Sequence, residues 1–206
     1  MLELFLTAFV SFFVVIDPPG CAPIFFGLTS GATRAQRTRM AIRAVTVATI
    51  ILLVFAWVGE PLLRVLGIDL SSFRIAGGIM LFFIALEMVF EKRTQRREDR
   101  AAKVAETAEV EDVSIFPMAM PMIAGPGSIA SVMLLMSRND GLERSAVVLA
   151  ALATILLLTL LALLAAGPIM RVLGVKIEAV ITRLLGVLLA ALAVQFVIDG
   201  IRRSFF

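Results

Sequence analysis

The 206-residue chain contains no histidine and no tyrosine, and it has one cysteine and one tryptophan. Without histidine it lacks the most common metal ligand and the most common general base, so we expect no metal site and no cofactor. The single cysteine, Cys21, excludes a disulfide within the chain. The sequence also has no H-E-x-x-H motif, no serine spaced to a base and no ATP-binding phosphate loop. These absences argue against an enzyme and against an ATP-driven pump.

Apolar residues dominate what is present. They make up 60% of the chain, against about 45–50% in soluble domains, and the mean hydropathy is +1.01. The net charge of +3 comes from basic residues between apolar runs, with no basic face of interleaved aromatics, so no nucleic-acid partner is expected. The first apolar run follows Glu3 rather than a basic segment, so we do not expect a cleaved signal peptide. The composition predicts a polytopic membrane protein.

Six apolar runs are long enough to span a bilayer, which takes about 20 helical residues. They cover approximately residues 2–28, 44–63, 74–90, 113–136, 146–167 and 184–201. Residues 91–112 between the third and fourth runs hold six basic and seven acidic residues, which is typical of a solvated linker. The chain therefore divides into a first three-helix unit over 1–90, a charged linker over 91–112 and a second three-helix unit over 113–206.

The two units repeat one another. A shift of 107 residues places 61–67 (PLLRVLG) on 168–174 (PIMRVLG), with five identities in seven, and the same shift places Pro19-Gly20 on Pro126-Gly127. A one-residue slip then places Gly78 on Gly186 and Glu87 on Gln195. Because each unit has an odd number of spans, the second unit should enter the membrane from the opposite side. The predicted fold is all-α, with six transmembrane helices arranged as two inverted three-helix repeats.

Lysine and arginine are distributed unevenly between the two sides of this topology. The side that carries the linker collects 13 of them, and the other side collects six. Positively charged loops remain cytoplasmic. The linker is therefore predicted to be cytoplasmic, with both termini facing outward.

Two of the six runs are interrupted near their centres, so helices one and four are predicted to be broken at mid-membrane. The first break is Asp17-Pro18-Pro19-Gly20 and the second is Gly125-Pro126-Gly127, where proline prevents a continuous helix. Irregular backbone at that depth is tolerated only inside protein or beside a watery cavity. A helix start also offers unpaired amides to an anionic group. The substrate-binding candidates are Asp17, Pro19, Gly20, Cys21, Gly125, Gly127 and Ser128.

Several of these residues have a second interpretation. Asp17 could bind an ammonium group, a cation or a coupling proton, or it could simply cap the half-helix that follows it. Cys21 is also consistent with a small packing residue, and Ser128 with a helix cap or ligand donor rather than a nucleophile. Glu87 and Gln195 are candidates for coupling or gating, although Glu87 could also be an interfacial side chain that reaches water.

The segments 16–25 (IDPPGCAPIF) and 120–129 (MPMIAGPGSI) resemble the MarC family, and the resemblance extends over essentially the whole chain. It implies a multi-pass bacterial inner-membrane protein related to the lysine-exporter superfamily, in which some members transport small neutral amino acids such as glycine and alanine. Proton coupling is suggested for such members. The family name refers to a multiple antibiotic resistance locus, which does not establish drug transport.

The leading hypothesis is therefore a secondary transporter of small neutral amino acids. Its partners would be that substrate and membrane lipid, and homo-oligomerisation is left open. The alternative is a non-transporting or exporter-type membrane protein of a stress or antibiotic-resistance locus.

Overall fold

A computed structural model describes residues 1–90, 112–139 and 141–205. The predicted charged linker lies outside these ranges, apart from Asp112. The described chain is all-helical. Its helices are α1 (Leu2–Ile16), α2 (Pro18–Leu28), α3 (Arg34–Val65), α4 (Leu70–Val89), α5 (Ser114–Ile123), α6 (Pro126–Arg138), α7 (Leu142–Leu164) and α8 (Ala166–Phe205).

By length and composition, five helical segments of the described chain can cross a membrane, or six when the bent pair α5–α6 counts as one. This agrees with a six-span prediction at the level of span number. The boundaries differ at the third span, because α4 begins at Leu70 rather than at residue 74. Arg74 therefore lies inside the helix and not at its edge, and its side chain is buried.

A single residue, Asp17, separates α1 from α2. It has a left-handed backbone (φ 59°, ψ 65°), which is uncommon for a residue other than glycine and more accessible to Asp than to most. The Asp17 amide donates to the Phe13 carbonyl at 2.9 Å and ends α1. Pro18 and Pro19 then occupy the first turn of α2, where a missing N–H costs nothing.

Prolines also shape α5, which is an irregular helix. Phe116 and Met120 have extended backbone angles (φ −126°, ψ 126° and φ −132°, ψ 126°), because each precedes a proline that excludes the helical region. Wide turns result, as in the 2.9 Å bond from the Ala124 amide to the Ala119 carbonyl five residues back. The chain then bends by 52° between α5 and α6.

The closest helix pair is α4 with α8, which pack through glycines. A Cβ atom on Gly78 would lie 2.8 Å from the Ala193 carbonyl oxygen, and one on Gly186 would lie 3.1 Å from the Ala85 carbonyl oxygen. The contact moves backward along α4 as it moves forward along α8, so the two helices are antiparallel. Small residues permit such close approach between membrane helices. We call this contact the glycine seam.

Around the seam, α1 packs on α7 and α3 packs on α5, while α2 contacts α7 and α3 contacts α6. The interior is apolar, with Phe12, Phe25 and Phe196 among the fully buried side chains. Large apolar side chains also cover the outside, and Trp57 and Phe83 are more than 60% exposed. Broad apolar surface of this kind is typical of a lipid-facing exterior.

The start of α5 is tied to α3 by an ion pair between Asp112 and Arg43. Partial burial acts to raise the pKa of the Asp112 carboxyl. Hydrogen bonds from Ser114 and the charge of Arg43 outweigh that effect, and the pKa falls below its ordinary value. The pair therefore persists at neutral pH.

The glycine seam generates a stability prediction. Gly186→Val should lower the thermal unfolding midpoint in detergent, because the added atoms would meet Met88 and the Ala85 carbonyl and overpacking costs about 1–3 kcal/mol. Gly27→Val in α2 is the matched control, since a Cβ there meets nothing within 4 Å. Equal unfolding midpoints for the two variants would contradict close packing of α8 against α4 at Gly186.

Candidate functional site

The start of α6 packs in the interior against the end of α1 and against α4. A Cβ atom on Gly127 would lie 3.2 Å from Val15 Cγ1 near the end of α1, and 2.6 Å from Ile84 Cδ1 on α4. The first turn of α6 therefore packs against the segment that leads into Asp17. Gly127 thus contacts α1 at a residue two positions before Asp17.

Asp17 is buried, with 2% of its surface exposed, and it caps α2. Its Oδ1 accepts a 3.1 Å hydrogen bond from the Gly20 amide, and its carbonyl accepts a 3.0 Å bond from the Cys21 amide. The capping interpretation of Asp17 is thus correct as far as local structure goes. Because Pro18 and Pro19 have no N–H, the first turn of α2 presents a carboxylate rather than the free amides expected at a helix start.

Glycine is required at both interruptions for steric reasons. A Cβ atom on Gly20 would lie 2.2 Å from Asp17 Oδ2, and one on Gly125 would lie 2.3 Å from the Pro121 carbonyl oxygen. Any larger residue would displace the capping carboxylate at the first interruption or the tight turn at the second.

The start of α6, unlike that of α2, is not capped by a side chain. Gly125 precedes it and provides no side-chain cap, and Pro126 at the first position has no N–H. The orphan donors of this turn are the amides of Gly127 and Ser128. The cap is missing because the N-cap residue, Gly125, has no side chain, and Ala124 at the repeat position of Asp17 has no polar group either.

Buried hydroxyl groups accompany these amides. Ser128 is 2% exposed, and Ser131 lies one turn further along α6 and is fully buried. Within the described chain the Ser131 hydroxyl has no hydrogen-bond partner. The start of α6 therefore combines a positive helix end with buried polar groups, which favours an anionic ligand group.

The other candidates lie at different distances from this region. Cys21 is fully buried, and its Sγ donates to the Ile16 carbonyl at 3.4 Å, as expected of a packing residue.

Glu87 is one turn after Ile84 on α4, near the start of α6. Gln195 instead donates to Asp199 Oδ1 at 2.9 Å, close to the Gly78 end of the seam. The antiparallel seam thus separates Glu87 from Gln195 by about nine residues, or about 14 Å.

A polar cluster at the far end of α6 was missed from sequence. Arg74 is 1% exposed and donates from Nη2 to the Ser137 carbonyl at 3.0 Å. Arg138 forms an ion pair with Asp199 and lies over the Phe196 ring, 5.4 Å from its centroid. Both arginines are among the six cations that the predicted topology assigns to loops on the side opposite the linker. The available signal was an arginine three residues before the Gly77-Gly78 pair, since ionisable residues inside membrane helices are usually functional.

Comparison with known proteins identifies the family, because MarC family integral membrane proteins match residues 2–205. The chain belongs to the MarC family. A UPF0056 membrane protein of Methanocaldococcus jannaschii is 37% identical over 204 residues, covering 98% of this chain and 97% of the relative. The UPF0056 membrane protein YvbG of Bacillus subtilis is 34% identical over 205 residues, with 100% and 97% coverage. YhcE of Escherichia coli is 34% identical over 197 residues, with 96% and 91% coverage. No solved structure matches the chain.

These matches establish that the MarC-family chain is an integral, multi-pass membrane protein with relatives in archaea and bacteria. The two interruptions described above are therefore features of a membrane protein. Buried polar backbone in such a protein must be satisfied internally or face a cavity.

The cap at Asp17 can be tested by two substitutions. Asp17→Ala removes the acceptor and disfavours the left-handed backbone, so it should lower stability by about 0.5–2 kcal/mol. Asp17→Asn keeps an acceptor and tolerates that backbone, so it should leave the unfolding midpoint in detergent near the parent value. Equal losses in the two variants would mean that the charge, and not the cap, stabilises the interruption.

Proposed function

We propose that this MarC-family protein is a secondary transporter of small neutral amino acids of the glycine and alanine type, driven by the proton gradient. Two inverted three-helix repeats would form the pathway. The breaks in the first and fourth spans would lie near the membrane midplane and form the substrate site. The proposal includes Asp17, Pro19, Gly20 and Cys21 on one side of that site and Gly125, Gly127 and Ser128 on the other.

The observation that carries this proposal is the complementary chemistry of the two helix starts. The start of α2 holds the buried Asp17 carboxylate, and the start of α6 holds the amides of Gly127 and Ser128 without a side-chain cap. A zwitterionic amino acid needs a negative partner for its ammonium group and a set of donors for its carboxylate. A carboxylate has about four lone-pair sites, so Asp17 can accept an ammonium donor while it caps α2.

The size of the substrate follows from the surroundings of Gly127. Val15, Leu81 and Ile84 all approach within 4 Å of the position that a Cβ atom would occupy there. Apolar side chains this close fill the space beside Gly127, so a substrate at this helix start would have to be small. Glycine and alanine satisfy that condition.

The glycine seam supports the inverted arrangement. Gly78 faces Ala193, and Gly186 faces Ala85. A single shift of 108 residues converts the first contact into the second, as a two-fold axis between α4 and α8 would require. Because α4 and α8 are the third spans of their proposed repeats and run antiparallel, such an axis would relate the two repeats in opposite orientations.

Helix lengths support breaks near the midplane. The 11 residues of α2 and the 13 residues of α6 extend about 16 and 20 Å at 1.5 Å per residue. Half of a hydrocarbon core is about 15 Å. Each half-helix is therefore long enough to run from the midplane to one membrane surface.

For coupling, Asp17 is the residue that would carry the proton, with Glu87 and Gln195 as gate residues. The orientation proposed from the lysine and arginine distribution places the linker in the cytoplasm and both termini outside the inner membrane.

Uptake by purified protein in liposomes tests this function. Wild type should accumulate labelled glycine or alanine when an inward proton gradient is applied. Gly127→Val should reduce the initial rate by at least about tenfold, equivalent to about 1.4 kcal/mol, because added bulk fills the site. Gly27→Val is the matched control, since its position is open. Wild-type liposomes that accumulate neither amino acid would refute the proposal.

The role of the carboxylate is tested separately. Asp17→Asn should abolish stimulation by the proton gradient while the protein retains its unfolding midpoint. Retention of full proton-driven accumulation by Asp17→Asn would remove Asp17 from the coupling mechanism.

A further inference from the structure

Two cavities lie at the far ends of the half-helices that begin at the interruptions. Cavity A, of about 400 Å³, lies between the end of α2, the start of α3 and the α7–α8 junction. Cavity B, of about 590 Å³, lies between the end of α6, the C-terminal part of α3 and the start of α7. Each cavity is therefore about one half-helix away from the region where Gly127 packs against Val15.

The cavities are equivalent under the sequence repeat. Eight of the eleven residues that line cavity A have their 107-residue equivalents in the lining of cavity B. Examples are Thr38 and Ser145, and Pro168 and Pro61. This correspondence arises from the fold and not from shared chemistry, because cavity A is lined by Arg34 and Arg37 whereas cavity B contains Glu60 and Arg64, which form an ion pair at 2.9 Å.

The end of α6 beside cavity B is fastened to two other helices. Ser137 lines the cavity, and its carbonyl accepts the bond from Arg74 of α4. The next residue, Arg138, forms the ion pair with Asp199 of α8. A Cβ on Gly200 would lie 2.9 Å from the Ser71 carbonyl, so α4 and α8 are also in direct contact at this level.

The end of α2 beside cavity A is hydrogen-bonded to the adjacent helix α3. The Ser30 carbonyl is the repeat equivalent of the Ser137 carbonyl, and it accepts a 3.0 Å bond from Arg37 of the adjacent helix α3. Gly31 stands at the position equivalent to Arg138, and Thr182 at the position equivalent to Arg74. The cations that tie α6 to α4 and α8 thus have no equivalents at these two positions.

One pair of repeat-equivalent side chains also differs in solvent exposure between the two cavities. Phe26 in cavity A is half-buried, whereas its repeat equivalent Met133 in cavity B is 7% exposed. The greater exposure on the α2 side is confined to this residue pair, because cavity B has the larger volume.

We propose that cavities A and B are the two vestibules of one pathway and that the Arg138–Asp199 pair, together with Arg74 on the Ser137 carbonyl, is the gate of vestibule B. This inference rests on the proposed inverted-repeat transporter. While the ion pair is formed, α6 is held against α4 and α8, and the central region communicates with vestibule A. When it separates, the end of α6 moves away from α4 and α8, and the central region communicates with vestibule B.

Cysteine labelling of the purified protein in detergent, without substrate, tests the gate. Phe26→Cys and Met133→Cys are introduced separately as repeat-equivalent reporters. The native Cys21 is fully buried, and the parent protein measures its background. With Asp199→Asn or Arg138→Gln, labelling by a polar maleimide should become about tenfold faster at Met133→Cys, a shift of about 1.4 kcal/mol in the opening equilibrium, and slower at Phe26→Cys.

The matched control is Glu60→Gln, which removes an ion pair that lies in vestibule B but within α3 alone. It should leave both labelling rates unchanged. Faster labelling at both reporters would indicate general loosening and would overturn the gate, as would unchanged rates in Asp199→Asn and Arg138→Gln variants that remain monodisperse.

The labelling test of the gate does not depend on which substrate the protein transports. Opposite changes at the two reporters, combined with liposomes that accumulate no amino acid, would support the gate and refute the proposed substrate. Uptake of glycine or alanine with no response at either reporter would support transport and refute the gate.

Discussion

The close antiparallel contact between α4 and α8 is the constraint on which the rest of the structure depends. Gly78 and Gly186 lack side chains at the two points where the opposing backbone approaches, and in a lipid environment such close packing supplies much of the association energy between helices. The contact joins the third helix of one sequence repeat to the third helix of the other. The remaining helices pack around it, with α2 against α7 and α3 against α6.

Within that frame, the two interruptions have diverged. The first has a carboxylate that folds back onto its own helix start, and the second has an alanine at the equivalent position and leaves its amides uncapped. A duplicated segment would begin with the same chemistry twice. Asp17 makes the two ends unlike, because one helix start carries a buried carboxylate and the other has no side-chain cap.

The same divergence occurs at the outer ends of the half-helices. Two cavities share their lining positions but differ in charge, and only α6 reaches the buried Arg74 and the Asp199 pair. Desolvated charges are expensive inside a membrane protein unless they are paired. Their concentration beside one cavity therefore distinguishes the outer end of α6 from that of α2.

Proline and glycine act on the local backbone and mark where α2 and α6 begin, and apolar run length sets a span, so sequence alone determined the all-helical class, the number of candidate spans and the family. It also indicated that Asp17 could be a cap. It could not determine that the amides of Gly20 and Cys21 are already bonded, since this depends on the left-handed backbone of Asp17. The approach of Gly127 to Val15 and the burial of Arg74 against Ser137 were decided only by tertiary structure, because both result from packing between helices that are far apart in the chain.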